Sequence, residues 1–205
     1  MAIIVSADSS TPRQNVSAGS HIARCYSIVD AGTHDDNYQG KARLRRTVRI
    51  SWEIPGETFE KDGKQLPLSI HKPYSFSLSE KATLRKDLES WRGRPFSAEE
   101  LKAFDLAKLL GQPAMLSVLH VQKDGKTYAQ ISSVSKPPKG LECPPQVNPS
   151  FEYSVASHDQ AAFDKLPDFM KDIIRKSKEY LDSFKAAAGP DTAATPAGEA
   201  DEVPF

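Results

Sequence analysis

The chain has only two cysteines, Cys25 and Cys143, far apart and outside any ligand-spaced set, so neither a disulfide framework nor a zinc site is offered. It also lacks an apolar run of membrane-spanning length, and MAIIV at the start is too short and too poor in basic residues for a secretory leader. A soluble protein of a reducing, cytoplasmic compartment is expected, with no membrane partner. The glycines are scattered at turns and form no phosphate-binding loop. No carboxylate pair stands out on an apolar background, and no Ser, His and Asp set follows a nucleophile pattern. Catalysis, a cofactor and a bound metal are therefore not expected, and lone His120 reads as an ordinary strand residue.

A further absence organises the rest. No Asp or Glu falls between Asp36 and Glu53, the span that contains KARLRRTVRISW, Lys41 to Trp52. Read at period two, this stretch sets Arg43, Arg45, Thr47 and Arg49 on one face and Leu44, Val48, Ile50 and Trp52 on the other. Arg46 breaks the alternation, as a bulge or a strand end would. Guanidiniums without local acids suit a polyanion, because Arg and Lys hold phosphates and release condensed counterions. The alternative is a sheet strand with a solvated charged face.

Charge is balanced overall, 27 Lys and Arg against 27 Asp and Glu, but it is segregated. After Ala188 come four acids, Asp191, Glu199, Asp201 and Glu202, and no Lys or Arg, which leaves 27 basic against 23 acidic residues in the body. The two regions carry opposite charge of similar size, so the tail is expected to compete with a polyanion for the basic face.

Along the chain, residues 1–20 read as a mobile arm. Ile22 to Val29 has strand composition, with Arg24 and Tyr26 on one face, and Asp30-Ala-Gly-Thr punctuates it. After the basic strand, Pro55-Gly56 and Asp62-Gly63 mark a charged loop or hairpin. Leu68 to Leu78 reads as a strand that interleaves His71, Lys72, Tyr74 and Phe76, with Pro73 implying an edge. The period then becomes helical: Leu84, Leu88 and Trp91 share one side of a helix over 79–91. A second helix runs from the Ser97/Glu100 capping box to Gly111. The loop between them, WRGRPF, places Arg92 and Arg94 between Trp91 and Phe96. Residues 113–121 and 127–134 form a hairpin with nearly uncharged strands that belong to the core. Lys136-Pro-Pro and Cys143-Pro-Pro lead into extended chain, and Phe151 and Tyr153 make a last edge strand. From 158 to 187 the apolar residues repeat at three and four, with Pro167 in the first turn of the main helix, which packs over the sheet or against a second copy in a homodimer. Residues 188–205 are too poor in apolar bulk to fold.

Five strands with helices inserted after the third follow the order of an OB fold, a partly open barrel whose sheet face and loops take single strands. Across IARCYSIVDAGTH, RRTVRISWEI, YSFSLSEKATLRKDLESWRGRPFSAEELKAFDLAKLLG and PAMLSVLHVQKDGKTYAQISSV, over half the chain, the sequence resembles phage-encoded single-stranded-DNA-binding proteins with an OB domain. The resemblance implies an OB-fold domain over 21–157, a mainly β (α+β) class, and residence in the host cytoplasm. The last residues, Asp201-Glu202-Val203-Pro204-Phe205, are similar to the acidic tip of bacterial single-stranded-DNA-binding proteins, with fewer acids and with Val203 in place of the more usual Ile. That similarity implies recruitment of replication or recombination proteins through the tip.

The expected function is sequence-tolerant binding of single-stranded DNA. Arg43, Arg45, Arg46 and Arg49, with Arg24, Lys72, Arg92 and Arg94, are the expected phosphate contacts. Trp52, Tyr74, Trp91 and Tyr26 are the expected stacking residues. Two alternatives stand beside it: a protein-interaction or virion-assembly module whose basic face meets an acidic protein, and an RNA-binding OB protein.

Overall fold

The computed structural model describes residues 14–187. The first thirteen residues of the expected arm and the whole expected tail, Asp201–Phe205 included, lie outside the described residues.

The frame is one mainly antiparallel sheet of β1 (Gly19–Tyr38), β2 (Lys41–Lys61), β3 (Lys64–Ser75), β4 (Pro113–Lys123) and β5 (Lys126–Ser135), in the order β3-β2-β1-β4-β5. The short β6 (Phe151–Tyr153) adds in parallel to β1. β1 reaches three partners because it bends. Register shifts between Cys25 and Ser27 and between Asp30 and Gly32 break its pleat, so Gly19–Arg24 pairs β4 while Arg24–Tyr38 pairs β2. The expected stop at Asp30-Ala-Gly-Thr is thus a bulge within a longer strand. Likewise β2 runs through Pro55-Gly56, a register shift between Ile54 and Thr58 absorbing the turn signal, and the reversal comes at Asp62-Gly63, both at positive φ. β3 and β5 form no backbone ladder with each other, so the sheet stays open; they approach where Lys72 Nζ donates to Ser132 O at 3.4 Å.

The inner parity of β2 behaves as its sequence requires: Val48, Ile50, Trp52 and Ile54 are buried against Leu68, Ile70, Leu116 and Val118. Helix α1 (Thr83–Arg92) lays Leu84, Leu88 and Trp91 into the same core and ends at Gly93 in the left-handed conformation that glycine tolerates best. Each such fully buried side chain contributes about 1.5–3 kcal/mol. The capping box forms as expected at α2 (Ala98–Lys102), Ser97 Oγ accepting from Glu100 N. The helix expected to continue to Gly111 instead breaks at Ala103, where the backbone extends. Asp105 then caps a 3-10 turn over Leu106–Leu109 through Ala107 N at 2.9 Å.

A second, smaller core lies on the other side of β1. The expected single helix over 158–187 is three: α3 (Gln160–Asp164), α4 (Asp168–Arg175) and α5 (Lys178–Ala187). Pro167, extended, starts α4 and cannot continue α3. Phe163, Leu166, Met170 and Ile174 are buried against Val29, Ala31, Tyr153 and Val155, so these helices pack back over the sheet. The chain is also organised earlier than His21. Val16 is buried in the main core, Asn15 Nδ2 donates to Thr127 O at 2.8 Å, and Ser17 N donates to Glu57 Oε2 at 3.0 Å. The expected arm is therefore shorter than 1–20.

Candidate functional site

The premise that the ribbon arginines lack acidic neighbours does not hold. The acids come from the facing strand: β1 and β2 turn through Gln39-Gly40, both at positive φ, and the register sets Asp36 opposite Arg43 and Asp30 opposite Val48. Arg43 Nη2 lies 2.7 Å and Arg45 Nη1 4.0 Å from Asp36 Oδ2, and Arg46 pairs with the buried Asp30. The hydrogen bond from Arg43 is the largest of the effects that hold the Asp36 carboxyl below the usual range. The Asp30 hydrogen bond raises the Arg46 guanidinium further, against burial. Arg49 sits over the Phe169 ring at 4.8 Å and Nη1 donates to Met170 Sδ at 3.7 Å, under α4.

Other expected contacts are structural. Trp52 is fully buried, as its shared parity with Val48 and Ile50 demands, and packs against Trp91 with ring centroids 5.6 Å apart. Trp91 is buried too, its Nε1 donating to Pro113 O at 2.7 Å. Tyr74, on the inner face of β3, donates to Asp87 Oδ2 at 2.8 Å, and Lys72 reaches the same carboxylate at 2.7 Å. None of the three rings is open to a base. Arg24 clamps a loop: it donates to Gly111 O, Cys143 O and Pro144 O at 2.6–3.0 Å, while its cross-strand neighbour Glu53, fully buried, accepts from Val147 N and Asn148 N. Together they fasten the segment read as extended chain over the sheet. Tyr26, left out of the β1–β2 register by the bulge, is half-buried. Arg92 and Arg94 both hold Glu100, and Arg92 lies over the rings of Phe96 and Phe104.

What the fold does bring together is Arg43, Arg45 and Arg46 around the end of β3. With Leu44, Ser75, Phe76 and Ser77 they line an open pocket of about 260 Å³. Phe76 is 45% exposed, with Arg46 over its ring at 4.8 Å, and Leu44 is more exposed still. Arg45 Nε, buried, has no hydrogen-bond partner among the described residues. This pocket pairs a half-open ring with three guanidiniums. Phe76 stood in the sequence as one of several interleaved aromatics; only the end of β3 distinguishes it from buried Tyr74.

A second exposed aromatic lies on the β4–β5 hairpin. The expected core hairpin is buried only through Val118 and from Ile131, and beyond these it projects. The register puts Tyr128 opposite Val121, Gln130 opposite Leu119 and Lys126 opposite Lys123, so exposed Leu119, Val121 and Tyr128 share one face with the two lysines. Charge-poor strands gave no sign of this, because projection depends on how far the partner strands extend.

Among the described residues, no group of three or more potential metal ligands forms, and no helix is long and apolar enough to cross a membrane. No protein-family model matches the chain, and no curated protein sequence matches it.

Proposed function

We propose that the chain binds single-stranded DNA without sequence preference, in phage replication or recombination, with its C-terminal tip recruiting partner proteins. The observation that carries this reading is the open pocket in which Arg43, Arg45 and Arg46 surround half-exposed Phe76. A ring with an open face stacks on any base, and guanidiniums beside it take the phosphates. Support for an OB-like arrangement comes from the strand order, from a first strand shared between β2 and β4, and from α1 entering between β3 and β4. Tyr128, Lys123 and Lys126 extend the same reading to the β4–β5 hairpin. Acid pairing tempers the electrostatics: two carboxylates neutralise part of the cluster, so fewer counterions are released than unpaired arginines would release.

Fluorescence anisotropy of a labelled dT oligomer across a salt series tests it. The wild type binds at low salt and weakens steeply as salt rises. Arg43→Ala with Arg45→Ala lowers the log–log salt slope by roughly 1–2, and Phe76→Ala weakens binding roughly tenfold, as loss of a stacking ring does. No binding at low salt, or equal affinity for duplex, overturns the proposal, and a preference for a matched RNA oligomer moves it to RNA. The rival protein-interaction reading draws on exposed Phe169 and Ile173 of α4 and Leu181 of α5; ordered assembly in light scattering without nucleic acid would favour it.

A further inference from the structure

Arg46 belongs to two places at once. On one side it covers Phe76 in the open pocket. On the other it pairs with buried Asp30, whose Oδ1 also accepts from Gly32 N at 3.1 Å, and Gly32 lies against Ser177 and Glu179, at the first turn of α5. Glu179 ties that turn to β1: its two carboxylate oxygens accept from Thr33 N at 2.7 Å and Thr33 Oγ1 at 2.6 Å. Burial works to raise the Glu179 carboxyl, and the Thr33 hydrogen bonds, with Arg46 adding, more than offset it and leave it below the usual range. Ser177, fully buried just before α5, lies so close to Gly32 that a Cβ there would overlap it, and Gly32 sits at φ +82°. Tyr180 completes the attachment, stacked on Phe163 at 5.7 Å. Leu181, Asp182 and Ser183 are exposed, so the described side chains that hold α5 are concentrated in its first turn.

We propose that Arg46 couples polyanion binding in the Phe76 pocket to the release of α5. A phosphate that takes up Arg46 leaves the buried Asp30 carboxylate unpaired beside Gly32. That carboxylate then draws in water, the Gly32 segment shifts, and the first turn of α5 that rests on it lifts from β1. Coupling is reciprocal: whatever loosens α5 without touching the pocket strengthens the polyanion. The inference rests on the proposed function for the identity of the polyanion, but the device needs only phosphate charge.

Hydrogen exchange over residues 178–187, read by mass spectrometry on the full chain, tests it with two probes, a dT oligomer and inorganic pyrophosphate. Saturating dT is expected to speed exchange of α5 roughly fivefold or more. Thr33→Val, which removes one hydroxyl donor and leaves every charge in place, is expected to speed α5 exchange in the free protein and to tighten dT binding several-fold. Glu179→Gln serves as the second variant, with the same two directions. Binding of dT with α5 exchange unchanged overturns the inference and leaves the proposed function standing. Failure of dT to bind while pyrophosphate still speeds α5 exchange overturns the proposed function and leaves the inference. Loosening of α5 by Thr33→Val with no gain in affinity, or no response of α5 to either probe, also overturns it.

Discussion

Two places in this molecule have a pair of arginines sharing one carboxylate, and they do opposite work. At the α1–α2 corner, Glu100 holds Arg92 and Arg94 and also accepts from Ser97 N in the capping box. Arg92 is sealed between Phe96 and Phe104, its side chain 13% exposed. At the β1–β2 arm, Asp36 holds Arg43 closely and Arg45 at 4.0 Å, both side chains are well exposed, and the neighbouring ring of Phe76 is half open. Ion pairing alone therefore does not separate a structural cation from a binding one. Nor does an orphaned donor, since Arg45 Nε and Arg92 Nη1 are both buried without a partner among the described residues; the neighbouring ring does, half open at Phe76 and buried at Phe96.

The largest effect expected from this contrast is on stability. Arg92→Ala removes a cation packed on two rings and should cost about 2 kcal/mol, several degrees in Tm, while Arg43→Ala should stay within about 0.5 kcal/mol. Thermal melts of the two variants settle it. Equal losses would erase the distinction between corner and arm.

A smaller effect sharpens the corner through pH. The hydrogen bond from Arg94, then that from Ser97 N, hold the Glu100 carboxyl at about 2, against an ordinary 4.5. A carboxyl depressed on folding contributes stability above its unfolded pKa and loses it as pH falls through the folded one. The Tm gap between wild type and Glu100→Gln should therefore be steady near neutrality and shrink as pH falls from about 4.5 towards about 2. A gap that persists at the acid end would make the corner a matter of shape, with little electrostatic content.

The helix start at the corner was legible in the sequence although its arginines and Trp91 were expected at DNA, and the arm was only half legible, for a physical reason. A capping box and two aromatics within one loop act locally, so Ser97, Glu100, Trp91 and Phe96 announce themselves by spacing, whereas the helix end read at Gly111 lies at Ala103. The inner parity of β2 was equally readable, and it already placed Trp52 with Val48 and Ile50; offering that ring to a base ran against its own alternation. The acids of the arm were not readable from β2. Asp36 and Asp30 meet the arginines only through a register set by a turn at Gln39-Gly40 and a bulge at Asp30, neither of which the strand composition signals. The division of the C-terminal helices was marked by Pro167 alone, and the exposure of Phe76 and Tyr128 depended on where neighbouring strands stop.

The smallest expected effect tests the arm itself. Asp36→Asn keeps the side chain's shape and removes the charge that Arg43 and Arg45 share, so their guanidiniums become more available to phosphate. Affinity for a dT oligomer should rise about two- to threefold, the size of an exposed ion pair, with Tm unchanged. Because the Arg43 hydrogen bond holds the Asp36 carboxyl below its ordinary range, the wild type should approach the variant's affinity only in acid, once Asp36 takes up its proton. An Asp36→Asn protein that binds no better than wild type at neutral pH would mean that Asp36 leaves the arginines fully available already. A variant that binds worse would mean that Asp36 orients them. The first result would leave the pair acting at its full strength, and the second would make the Asp36 carboxylate part of the site's geometry.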